Sequence, residues 1–162
     1  MDKTGKKLDT VTESDNRIPV LSFFSGGGFL DMGFEKAGFD IVWTNENDKT
    51  FAEMHAHGIT TWRKAHGNKS EAEIFNTKGI EEIKPKDILQ EAFGDTLPEQ
   101  FGIIGGPPCQ DFSSAGKNLG FDGERGKLTK LFFEYISEMQ PSFFVFENVQ
   151  NLWNNKKHRK HQ

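Results

Sequence analysis

One cysteine in 162 residues leaves no partner for an internal disulfide. That excludes the disulfide-stapled secreted class and fits a reducing compartment. No apolar run approaches the ~20 residues that a membrane-spanning helix needs, and the mean hydropathy is −0.63. The first residues, MDKTGKKLDTVTESDNR, contain no apolar stretch and do not read as a secretory signal. Positive charge is also short: 20 Lys and Arg stand against 24 Asp and Glu, for a net charge of −4. The basic excess that marks many nucleic-acid-binding domains is therefore missing. The nearest thing, KKHRKH at 156–161, reads first as a solvated helix start. Tyrosine is nearly absent, one against sixteen phenylalanines. Phenylalanine brings apolar area without a polar atom to satisfy, so most of the sixteen are expected in the core.

What is present reads as one domain, long enough to bury ~70% of the surface its unfolded chain exposes. Residues 1–17 are polar without periodicity and are expected to form a disordered arm. Ile18–Phe24 is a short continuous apolar run ending in SGGG, the pattern of a strand buried on both faces and followed by a tight turn. Leu30, Phe34 and Ala37 then recur at helical spacing, and Gly38 closes the segment as a C-cap would. FDIVWTNE reads as a second strand ending at Glu46, with a short helix from Lys49 to Gly58. Residues 59–86 are expected to hold short helices or a surface excursion, and DILQEAF fits a strand end or a helix. FGIIGG, 101–106, is again a strand. Leu128, Leu131, Phe132, Tyr135, Ile136 and Met139 form a helical stripe that Pro141 ends, and Ser142–Val149 is a last strand. Alternating strands and helices predict an α/β, Rossmann-like, mostly parallel sheet with helices on both faces. Such sheets bind ligands outside the carboxyl ends of their strands. The glycines 26–28, Glu46, Pro107–Cys109 and Glu147 all fall on that edge.

Each feature has two readings. The FSGGG turn before a helix offers backbone N–H groups and a positive helix end to a polar or anionic ligand; otherwise it is a plain tight turn. Gly26, Gly28 and Gly33 break the GxGxxG spacing, and no GK[ST] follows. A nicotinamide cofactor is thus disfavoured and a triphosphate loop excluded. Glu46 stands twenty positions after Gly26, near the offset at which an acid meets ribose hydroxyls. A lone cysteine is usually inert packing, but Cys109 follows Pro-Pro and precedes Gln-Asp in a Gly- and Ser-rich stretch. There a thiolate is able to attack an activated carbon held close to it. Glu147 ends the apolar FFVFE and is either a capping or ion-paired acid or a desolvated carboxyl able to donate a proton.

GGPPCQ together with FENV resembles the DNA (cytosine-5) methyltransferases, in the family's order from about Val20 to Trp153. FFSGGGFLDMGFEKAGF resembles the family's cofactor loop and first helix, TNENDKTF its second motif, and KDI at Lys86–Ile88 its third. The resemblance implies S-adenosylmethionine as cofactor, held by Phe24, Ser25, Gly26, Gly28, Glu46, Asn47, Asp87, Ile88, Pro107 and Leu131. It implies Cys109 as nucleophile at cytosine carbon 6 and Glu147 as the acid at ring nitrogen 3. Pro108, Gln110, Ser113 and Asn148 would then meet a cytosine flipped out of double-stranded DNA. No metal and no membrane is implied, and a bacterial, cytoplasmic and nucleoid-associated place follows, within a restriction-modification setting.

The sequence departs from the family pattern at several points. Phe29 takes the place of the second glycine that usually ends the loop, and Ser22 the place of an acid two positions before Phe24. Leu128 competes with Leu131 for the cofactor contact. After FENV the sequence ends at Gln162, without the family's Gln-Arg-Arg motif, recognition region or closing segment. Residues 18–162 are thus expected to be the N-terminal part of the catalytic domain. The alternative is a non-catalytic or split-subunit fragment that binds only cofactor or a second chain carrying the missing motifs. A nicotinamide oxidoreductase is a further rival.

Overall fold

The computed structural model describes residues 17–67, 73–108 and 124–148, with only the backbone of Glu124 and Arg125. The expected N-terminal arm, all but its last residue, lies outside the described residues, as do 156–161. Among the described residues five strands form one parallel sheet in the order β3-β2-β1-β4-β5: β1 (Pro19–Phe23), β2 (Asp40–Asn45), β3 (Ile74–Asn76), β4 (Gly102–Gly105) and β5 (Phe143–Phe146). The helices are α1 (Phe29–Lys36), α2 (Lys49–His66), α3 (Pro85–Phe93) and α4 (Glu124–Met139). The order reverses between β1 and β4, and folds of this type bind ligands at that switch point.

β1 is central and buried along nearly its whole length. Its side chains alternate between two cores, as the pleat requires. Leu21 and Phe23 join Trp43, Ile88, Ile103, Phe132 and Tyr135 beneath α3 and α4, while Val20 meets Ile41, Ile104, Leu30 and Phe34 on the α1 side. Both faces are thus covered, as the unbroken apolar runs imply. The strand β4 admits two glycines because aromatic rings fill their places: an added Cβ would lie 2.2 Å from Phe143 Cζ at Gly102 and 2.8 Å from Phe132 Cε2 at Gly105.

Several expectations need correction. The helix begun at Lys49 continues past Gly58 to His66, capped at its start by Asp48, whose carboxylate accepts from the Thr50 and Phe51 N–H groups. The illegible stretch contains the short edge strand β3, a 3-10 turn at Ile80–Glu82, and α3, which settles DILQEAF as helix. Pro85 starts α3, where its missing N–H costs nothing. Most of the described phenylalanines serve the core: Phe23, Phe101 and Phe132 are fully buried and Phe24, Phe34, Phe39, Phe93, Phe143 and Phe146 pack against the clusters, while Phe29, Phe51, Phe133 and Phe144 are exposed. On α1 the fully buried residues are acids, Asp31 and Glu35, and not the apolar stripe.

Candidate active site

The parallel register aligns the carboxyl ends of four strands: Phe23 pairs with Asn45 and with Gly105, and Gly105 pairs with Phe146. Each strand then releases a candidate segment on the same edge. From β1 comes the turn Phe24–Gly28, in which Phe24, Gly26 and Gly28 take positive φ of 52°, 54° and 82°. Glycine adopts that region without penalty, whereas Phe24 holds it at a cost of order 1 kcal/mol. The Ser25 N–H donates to Asn45 O at 3.1 Å, which stitches the turn to the end of β2.

Glu46 follows β2 and is almost fully buried. One carboxylate oxygen accepts from Gly26 N–H at 2.9 Å and the other from Asp48 N–H at 2.8 Å. The acid therefore clamps the glycine turn to the start of α2. Each carboxylate oxygen keeps lone-pair capacity for a further hydroxyl donor. The adjacent Ser25 Oγ is buried and without a partner among the described residues, and buried hydroxyls are seldom left so. A clamped acid, a glycine turn and an orphaned hydroxyl fit a ligand carrying hydroxyl and charged groups. Asn47 is exposed beside them.

From β4 comes Gly106-Pro107-Pro108, with Pro107 buried and Pro108 half-buried. Glu147 follows β5, and its N–H donates to Gly105 O at 2.9 Å. Its carboxylate lies against Gly106, where a Cβ would stand 2.9 Å from Oε2. Asn148 Nδ2 reaches Pro107 O at 3.5 Å. Glu147 itself is exposed, so the apolar wall expected to desolvate it is not formed by the described residues. Cys109, Gln110 and Ser113 lie outside the described residues.

The third-motif residues sit on α3. Asp87 is exposed in the first turn of α3, and the Ile88 side chain is sealed in the core. Leu128 and Leu131 are both half-buried and pack against that same core.

A second cluster went unseen in the sequence. Ser22 Oγ donates to Asp31 Oδ1 at 2.6 Å, and Asp31 Oδ2 meets His55 Nε2 at 2.8 Å. His55 Nδ1 faces Glu73 Oε1 at 3.6 Å. Arg63 pairs with both Glu73 and Glu35, its Nε donating to Glu35 Oε1 at 2.8 Å. Burial opposes the Arg63 charge, but the Glu35 hydrogen bond and the charges of Glu73 and Glu35 outweigh it and raise the guanidinium above its ordinary value. The Ser22 departure thereby finds its partner: an acid on α1 stands where the strand has none. The only sequence signal was polar residues on one helix face, Asp31 with Glu35 at i, i+4 and His55 with Arg63 at i, i+8, which also describes a solvated helix face.

Among the described residues no group of three or more His, Cys, Asp or Glu is placed to hold a metal ion, and no helix is long and apolar enough to cross a membrane.

Comparison with known proteins gives a consistent picture. The Neisseria meningitidis Type II methyltransferase M.NmeDI is 38% identical over 161 residues, covering 93% of this chain and 36% of its own. The Fusobacterium nucleatum Type II methyltransferase M.FnuDI is 43% identical over 138 residues, covering 83% of this chain and 33% of its own. The chain thus spans about a third of the length of these curated relatives. A prophage-encoded E. coli protein, assigned as a DNA modification methyltransferase, superposes with a TM-score of 0.66 at 29% identity, over 89% of this chain and 36% of that one. The family described as C-5 cytosine-specific DNA methylase matches residues 18–162, and the chain belongs to that family.

Proposed function

We propose that this chain is the cofactor-binding and nucleophile-bearing part of an enzyme that methylates carbon 5 of cytosine in double-stranded DNA. The observation that carries the reading is the Glu147 carboxylate against Gly106, three residues before the sole cysteine. S-adenosylmethionine, bound at the glycine turn, supplies an electrophilic methyl group. Glu46 and Ser25 are suited to its hydroxyls and Gly26–Gly28 to close backbone approach, with Pro107 beside them. In this reading the Cys109 sulfur bonds to cytosine carbon 6 while Glu147 protonates or hydrogen-bonds ring nitrogen 3. Carbon 5 would take the methyl group with S-adenosylhomocysteine as the leaving group and then lose its proton to a base, and the carbon–sulfur bond would break to return the Cys109 thiolate. Pro108, Gln110, Ser113 and Asn148 are the proposed contacts to the flipped base, whose extrusion costs a few kcal/mol. Asp87, exposed at the start of α3, and Leu131 complete the proposed cofactor set, while the sealed Ile88 side chain serves the core.

The remainder of the catalytic domain, which the relatives carry in the other two thirds of their length, is the proposed cover for β5. That strand is a sheet edge exposing Phe144 and Val145 beside Phe133 on α4, and parallel strands are normally buried on both faces. Whether that remainder comes in the same polypeptide or in a second chain, a cytoplasmic, nucleoid-associated enzyme paired with a restriction activity follows from this reading. The test is methyl transfer to plasmid DNA. We expect little from the 162 residues alone, transfer after complementation with the missing motifs, and none with Cys109→Ser. Full activity in that variant removes the nucleophile assignment, and full activity of the 162 residues alone removes the need for a remainder.

A further inference from the structure

We propose that His55 is a positioning residue for the cofactor turn; the inference rests on the reading of that turn given above. Gly28 closes the turn and caps α1 at φ 82°. A Cβ placed on it would stand 2.7 Å from His55 Cδ2 and 3.1 Å from Nε2, so the imidazole edge is the surface on which Gly28 rests. The ring is fully buried. It is held by Asp31 on α1 at 2.8 Å, itself held by Ser22 of β1, and packed against the Phe75 ring of β3 at 5.1 Å; on its other edge Nδ1 makes no hydrogen bond among the described residues and faces Glu73, paired with Arg63, at 3.6 Å. The turn is thus gripped at both ends, Gly26 by Glu46 and Gly28 by His55. Apolar side chains would join α1 to α2 without the desolvation that buried ionic groups incur. What the polar constellation adds is direction: a planar ring with one permitted orientation under the one residue where the strand turns into the helix. That is the supporting layer a preorganised site needs.

The experiment measures S-adenosylhomocysteine affinity by calorimetry and backbone amide exchange in the 162-residue chain. His55→Leu removes the nitrogen that meets Asp31. His55→Gln keeps a nitrogen donor. Asp31→Asn with His55→Leu avoids leaving a buried carboxylate without its partner, so the chain folds even if the single variant does not. We expect affinity to fall about tenfold in His55→Leu and in the double variant, the scale of one hydrogen bond to a charged group, and recovery in His55→Gln. Exchange should rise at Gly26–Leu30 while β1 and β4 stay protected; a purely structural role would loosen the sheet as well. Wild-type affinity in the folded double variant overturns the proposal. A wild-type chain that does not bind overturns the cofactor reading instead; the exchange measurement then decides alone, and unchanged exchange at Gly26–Leu30 overturns the role of His55.

Discussion

The Oε2 atom of Glu147 lies 2.9 Å from the point that a Cβ would occupy on Gly106. The acid at the end of β5 and the loop leading to Cys109 are therefore in contact through a residue with no side chain. Gly106→Ala should push the carboxylate aside, and because that carboxylate is the exposed end of a flexible side chain, the fold should tolerate the change. The expected result is a melting temperature close to wild type together with a loss of turnover approaching ~10²-fold in the complemented enzyme, the scale of a 1 Å misplacement at a reacting centre. Steady-state methyl transfer and a thermal melt check both halves. Unchanged turnover would remove Glu147 from the chemistry.

Glu46 offers a sharper test of the cofactor turn. Both of its oxygens accept backbone N–H groups, from Gly26 and Asp48. Glu46→Gln turns an NH2 group toward one of those donors, so one hydrogen bond becomes a repulsion. Bonds to a charged acceptor contribute ~1.5–3 kcal/mol, and S-adenosylhomocysteine affinity should drop ~10-fold or more. Glu46→Asp, one methylene shorter, should reach only one of the two donors and behave similarly. Calorimetry on the two variants decides it; full affinity in Glu46→Gln would mean that the acid neither shapes the turn nor meets the ligand.

Legibility in the sequence followed burial. β1, β2 and β4 announced themselves because strands covered on both faces read as continuous apolar runs; β5 reads the same way although its Phe144 and Val145 are exposed at the sheet edge, and the register then brought the glycine turn, Glu46, Pro107 and Glu147 to one edge as expected. β3 did not, since it is three residues long and half-exposed. Gly58 read as an end to its helix, whereas it is a close-approach site: a Cβ there would stand 3.2 Å from Met32 Cε on α1. The buried polar cluster was invisible for another reason. Asp31, His55 and Arg63 occupy core-facing positions with residue types that normally face water, and only tertiary structure shows that His55 meets Asp31 and Arg63 meets Glu35 and Glu73.

The two glycines of β4 make a prediction in which the shorter distance is the cheaper one. At Gly102 the intruding atom is the ring end of Phe143, on the edge strand and only partly buried. At Gly105 it is the fully buried Phe132 ring at 2.8 Å and the backbone oxygen of Phe23 at 3.0 Å. A ring at an edge can turn; a central strand cannot move. Gly105→Ala should therefore lose ~1–3 kcal/mol, the usual range for overpacking, and Gly102→Ala less. Urea denaturation of the two variants gives the order, and the reverse order would show that β5 is held more rigidly than its edge position implies.

Tyr135 is the single tyrosine of the chain, which makes its environment directly measurable. Its hydroxyl donates to Ile80 O at 3.0 Å and also to Ile83 O, tying α4 to the turn ahead of α3. Burial first, then the negative charges of Glu138, Glu81 and Glu134, raise its pKa above the ordinary value of 10.0. The sign follows from the unfolded chain ionising first. The contribution of the neutral phenol is complete below pH ~10 and is lost as pH rises through the folded pKa. Tyr135→Phe should cost ~1–3 kcal/mol at neutral pH, because two carbonyls lose their donor. The gap between wild type and variant should narrow above pH ~10, since only wild type has a phenol to ionise. Urea melts at neutral and alkaline pH, with phenolate absorbance as the titration readout, test this. A gap that stays constant with pH, or a phenol that titrates at its ordinary value in the folded chain, would show that the hydroxyl is not held as described.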